Sequence, residues 1–218
     1  MPGTFASQLL RPGVLDGVGI LLAGAQPPVP GSTGEALATA LAELGARVPV
    51  CEAAGEPSSS GEDDESQTDA AVERALGASG PIDVLVVDAG SLFAAAAEGT
   101  AVAQREGRRE ALSSCLDGSW NVTRAVVRSA FLGRERGGRI VFLAPPAGSG
   151  EHAEAARAGL ENLARTLSVE WARHAITVVA IAPGAGTSAE ELAALTAYLA
   201  SPAGAYFSGC LLDLSGPA

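Results

Sequence analysis

Not one lysine occurs among the 218 residues, and all 14 basic side chains are arginine. That absence excludes chemistry that needs a lysine amine, such as a Schiff base or the lysine of a phosphate-binding P-loop. Positive charge is scarce altogether, with 25 acidic residues and a net charge of −11. A chain without a basic face is not expected to bind nucleic acid. Cysteine is sparse too. Cys51, Cys115 and Cys210 lie far apart with no CxxC pair. Neither a zinc site nor a disulfide framework is indicated, and reduced thiols in a cytoplasmic setting are expected. No stretch reaches the ~18 consecutive apolar residues of a membrane span. The opening MPGTFASQLLRPG lacks a basic segment followed by a long apolar run, so no signal peptide is expected.

What is present is an alternation of strands and helices. Apolar runs bounded by glycine read as buried strands at 17–24, 46–50, 82–90, 137–145, 175–184 and 209–216. Helical spacing of apolar residues marks 34–46, with Gly45 near its end, and long stretches at 101–132 and 151–173. A shorter helix is expected at 189–200. This order predicts an α/β fold: a doubly wound, Rossmann-type parallel sheet of about six strands with helices on both faces. No domain boundary or internal repeat is visible, so one domain over 1–218 is expected. Residues 52–69, EAAGEPSSSGEDDESQTD, hold almost nothing apolar and read as a solvated, flexible acidic loop.

Several segments, in order, resemble the short-chain dehydrogenase/reductase family. They are RGGRIVFLAPPAG, AARAGLENLARTLSVEWARHAITVVAIAPG and the ending ELAALTAYLASPAGAYFSGCLLDLSG. DVLVVDAG and DGSWNVTRAV resemble that family's fourth strand and the helix after it. The resemblance implies a Rossmann sheet, an NAD(P) cofactor and a catalytic Asn, Ser, Tyr and Lys.

Aligned by these segments, the four catalytic positions hold other residues. Two residues before Gly159-Leu160, the lysine position is Arg157, whose pKa is too high to shuttle a proton. One helical turn earlier, the tyrosine position is Ala153. The serine position is Pro145 and the asparagine position is Cys115. The phosphate-binding loop, AGAQPPVPGSTGEA, keeps Gly24 and Gly34 but is longer than the family pattern. Pro27, Pro28 and Pro30 bring no backbone N–H to it. Ser32 or Thr33 is expected to cap the helix that follows. Glu52, after the second strand, stands where a ribose-binding acid would be. These three, Gly24, Gly34 and Glu52, read as vestigial, so no cofactor is expected.

Residues 52–69 cannot supply the strand the family places there, so ARVPV becomes the edge strand. Pro49 fits an edge. The connection APGAGTSAEEL is too short for the family's substrate-covering loop. The long helices are retained, and in the family they form subunit interfaces. Trp120, Leu160, Leu163, Leu167 and Trp171 are the expected interface residues; the last four lie on one apolar stripe. The leading expectation is therefore a non-catalytic subunit that supports an active relative in a hetero-oligomer, or forms its own dimer or tetramer. Hydroxyacyl or ketoacyl thioesters are among the partner substrates the resemblance implies. One alternative is rebuilt chemistry around Glu151, His152, Glu154, Cys115 and Arg157, with His152 as acid or base. Another is a ligand-sensing module in the emptied cleft.

Overall fold

The computed structural model describes residues 3–52, 61–97 and 104–216. Six parallel strands form one sheet in the order β2-β1-β3-β4-β5-β6. They are β1 (Ile20–Gly24), β2 (Val50–Glu52), β3 (Val84–Asp88), β4 (Gly138–Leu143), β5 (Ile176–Ala182) and β6 (Cys210–Asp213). The doubly wound sheet read from the sequence is therefore present, and β2 is an edge. β1 and β3 are buried at every position. Alternate side chains serve two cores: Leu21 and Ala23 face one, Ile20 and Leu22 the other. That is why the central strands are continuous apolar runs rather than alternating ones.

The edge strand starts later than expected. Leu22 N–H donates to Pro49 O at 2.9 Å and Ile20 N–H to Arg47 O at 2.8 Å. Pro49 has no N–H to return, so regular pairing begins only at Val50.

Four helices cover one face: α3 (Gly61–Ser79), α4 (Ala89–Ala97), α5 (Gln104–Val126) and α6 (Ala153–Glu170). The other face carries α1 (Phe5–Leu9), α2 (Thr33–Glu43) and α7 (Ala189–Ala200). A single π-helical turn, Val127–Phe131, ends α5. α5 and α6 approach closely at Gly159, where a Cβ would lie 2.8 Å from Leu116 Cδ2. β5 leads into α7 within a few residues, as the short connection predicts.

The acidic segment is corrected in part. Residues 53–60 lie outside the described residues, but 61–69 form the first half of α3 rather than a loop. Two tertiary features hold this helix. Val72 is fully buried in the core, and Arg124 of α5 lies 3.2 Å from Glu65 and 3.3 Å from Asp69. Composition registered the charges but not the arginine that meets them.

Candidate functional site

The C-terminal ends of the strands open on a cleft of about 420 Å³. In an open α/β sheet this is where ligands bind. Gly24 ends β1, and its register partner is Glu52 of β2. Beyond Gly24 the chain enters the proline-rich loop, where Pro27, Pro28 and Val29 line the cleft. The N-terminus of α2 follows. Gly34 lies within α2, and a Cβ there would make only ordinary contacts with Pro28 at 3.6 Å. Its glycine is therefore not required by the present packing.

Three helix N-termini face the cleft, those of α2, α4 and α7. Such termini offer free N–H donors to anions. Here a carboxylate of the helix or its cap accepts one backbone N–H at or just before each start. Ser32 Oγ accepts from Glu35 N–H at 3.1 Å, while Glu35 Oε2 accepts from Gly31 N–H at 2.6 Å. Ser188 and Glu191 form a reciprocal capping box on α7, and its bonds hold the Glu191 carboxyl below its ordinary range. Asp88 Oδ1 accepts from Ser91 N–H at 3.0 Å at the start of α4.

Helix α4 is what the sequence reading missed. It starts immediately after β3. Ser91 Oγ accepts from Ala25 N–H at 3.0 Å, taking up a donor just beyond Gly24. A Cβ on Gly24 would sit 3.0 Å from the same hydroxyl. Phe93 is buried and would lie 3.2 Å from a Cβ on Gly150, so α4 packs against the loop between β4 and α6. The spacing of Asp88 and Ser91 before an apolar run is an N-cap signal that was available in the sequence. Asp88 itself is 9% exposed, and burial pushes its carboxyl above the ordinary value, against the weaker opposing effect of the Ser91 bonds.

The four aligned positions are structurally occupied. Cys115 is fully buried in the core, and desolvation, with a smaller contribution from the Asp88 charge, pushes its thiol to about 12. Pro145 is buried just past β4, and Ala153 is the buried first residue of α6. Arg157 is 6% exposed. Its guanidinium donates to Pro145 O at 3.0 Å, Pro183 O at 2.7 Å, Ser215 Oγ at 3.1 Å and Asp213 Oδ1 at 3.3 Å. Its Nε lies 3.3 Å from Glu154. The side chain thus ties together the segments that leave β4, β5 and β6, one guanidinium against four acceptors.

The rebuilt cluster expected around His152 does not assemble. His152 and Glu151 are exposed neighbours, 3.9 Å apart, and Glu154 pairs with Arg157. Cys115 is sealed in the core, and Arg157 is turned to the strand ends. His152 sits at the start of α6 with φ 71°, and its side chain makes no cap bond.

The expected interface stripe also needs correction. Leu160 and Leu167 are buried in this chain's own core, at 0% and 2% exposure. A periodic stripe marks a buried face without saying what buries it. Leu163 and Trp171 are partly buried, and Trp120 is 37% exposed. The two indoles stack at 6.4 Å with planes 14° apart, joining α5 to the end of α6. Among the described residues no cluster of metal ligands occurs, and no helix is long and apolar enough to cross a membrane.

Comparison with known proteins gives consistent matches. A family model described as short chain dehydrogenase matches residues 29–196. The rat peroxisomal 2,4-dienoyl-CoA reductase is 30% identical over 184 residues, 67% of this chain and 60% of its own length. An uncharacterised oxidoreductase of Mycobacterium tuberculosis is 34% identical over 185 residues, covering 75% of this chain and 66% of its own. The chain thus spans 60–66% of the length of these curated relatives. Among solved structures, a citronellol catabolism dehydrogenase of Pseudomonas aeruginosa is 29% identical with a TM-score of 0.71, covering 94% of this chain and 96% of that one.

Proposed function

The chain belongs to the short-chain dehydrogenase family, and from that premise we propose that it is a non-catalytic member that assembles with and supports an active NAD(P)-dependent relative. One observation carries the reading: the cation at the lysine position, Arg157, is buried and committed to backbone carbonyls at the strand ends. A group in that state neither holds a ribose nor assists a proton transfer.

The surroundings support it. Ala153 and Pro145 bring no hydroxyl, and the Cys115 thiol is buried and protonated. At the three helix N-termini around the cleft, Asp88, Glu35 and Glu191 each accept a backbone N–H for which a pyrophosphate would have to compete. On this reading the chain holds no cofactor, and it works in the cytoplasm beside its partner. Trp120, Trp171 and Leu163 are the residues offered to a subunit interface. An acyl thioester is the favoured substrate class for the partner, since the rat relative is named for a dienoyl-CoA.

The test is co-expression with an intact short-chain dehydrogenase encoded beside this chain's gene. The expected result is a hetero-oligomer on size-exclusion chromatography whose oxidoreductase activity needs both chains. A chain that stays homomeric, or that oxidises NADH or NADPH by itself, would overturn the proposal.

A further inference from the structure

We infer that the cleft at the strand ends is a binding site for an uncharged, largely apolar small molecule. This rests on the reading of the cleft as one that no longer takes a nucleotide. Its volume of about 420 Å³ lies within the ordinary range of small-molecule sites. The walls are made chiefly by Pro28, Val29, Ala94, Leu143, Pro146 and Leu192. A surface this apolar, enclosed between a proline-rich loop and helices, favours a ligand that leaves water.

Charge selects further. At each of the three facing helix N-termini one backbone N–H is already accepted by a side chain of this chain. Among the described residues no arginine or histidine lines the cleft, and its one ionisable side chain is Asp88, so an anion would meet no cation here. Asp88 lines the cleft, and its Oδ1 is held by Ser91. Among the described residues nothing partners its second carboxyl oxygen. Burial raises this carboxyl above its ordinary value, which disfavours the charged form. Its open oxygen gives a ligand hydroxyl or amine N–H a single polar anchor.

Two dyes with one skeleton test this. N-phenyl-1-naphthylamine is neutral; 8-anilinonaphthalene-1-sulfonate adds a sulfonate. The neutral dye is expected to bind saturably, one per chain, with an affinity at least about tenfold above that of the sulfonate. Ala94→Trp fills the cleft from the exposed side of α4 and should weaken the neutral dye by about tenfold or more, with unchanged circular dichroism. Ala95 also faces the cleft, and Ala95→Trp takes its place should the first variant fail to fold. Equal affinities for the two dyes, or neutral-dye binding untouched by the filled cleft, would overturn the inference. NADH titrated in parallel separates the two ideas. NADH binding would sink the non-nucleotide reading, whereas the dye comparison decides the ligand class.

Discussion

Replacing Arg157 is the sharpest perturbation the structure offers. Arg157→Met keeps the apolar stem and removes every donor. Pro145 O loses the Arg157 N–H, and an orphaned buried carbonyl costs about 1–3 kcal/mol. Pro183 O also accepts from Ala147 N–H at 3.0 Å, so it keeps a partner and loses only a charge-assisted bond. That second loss is about 1–2 kcal/mol. The contact with Asp213 is exposed to solvent, and screening leaves it out of the sum. The expected destabilisation is about 2–5 kcal/mol. For a chain of this size that lowers the melting temperature by about 5–15 °C. Arg157→Lys returns a charge but only one nitrogen, which cannot reach β4, β5 and β6 exits at once, so it should recover about half. Urea unfolding followed by far-UV circular dichroism measures both, with the slope checked for constancy. If Arg157→Met lies within about 0.5 kcal/mol of the parent, the guanidinium is not a structural tie and the reasoning fails.

Other expectations follow from the same geometry. Because burial raises the Asp88 carboxyl, the folded chain holds that proton to higher pH than the unfolded one. Its contribution to stability is then fully present below the unfolded value and declines as pH rises toward the folded value. Asp88→Asn keeps an acceptor for Ser91 and removes the decline, so its stability advantage should widen in urea titrations as pH rises above the ordinary carboxylate range; a narrowing gap contradicts it. Thiol labelling at mildly alkaline pH should modify Cys210 first. Cys51 and Cys115, pushed to about 11 and about 12 and buried, should react only on unfolding, and rapid native-state labelling of Cys115 would refute its placement. The combined change Cys115→Asn, Pro145→Ser, Ala153→Tyr and Arg157→Lys should not create NADH-dependent reduction of a ketone, because α4 and the closed helix N-termini remain. Appearance of turnover would show that the cleft still admits a nucleotide.

The strands were legible because parallel strands buried on both faces have no choice but to be apolar throughout; VLVVD and ITVVAIA say so directly. That β2 is the edge among the described strands was legible from the lack of apolar residues in 52–69 and from Pro49. The beginning of α3 was not, because its support comes from Arg124, far along the chain. α4 was hidden because 82–90 reads as one apolar strand, so that Gly90 was taken as the strand's end rather than the second residue of a helix. Leu160 and Leu167 were placed on the right face and given the wrong partner, since a helical stripe has the same period against its own sheet as against another subunit. The replaced positions were readable as identities. Where Arg157 points was not, because its acceptors lie 12 to 58 residues away in sequence.

The losses and the new contacts fall on the same atoms. Arg157 stands at the lysine position and holds the strand exits together. Ser91 takes the N–H just beyond Gly24, and Asp88 seats the helix that brings Ser91 there. A chain that had merely drifted from catalysis would leave such groups solvated and unpaired, because nothing would select their partners. Here a buried cation has found carbonyl acceptors and the buried Asp88 carboxyl accepts the Ser91 N–H, each arrangement satisfying polar groups that burial would otherwise penalise. Stability has come to rest on the residues that stand where chemistry would be done. A reversal at Arg157 therefore meets a structural cost before it meets any catalytic gain.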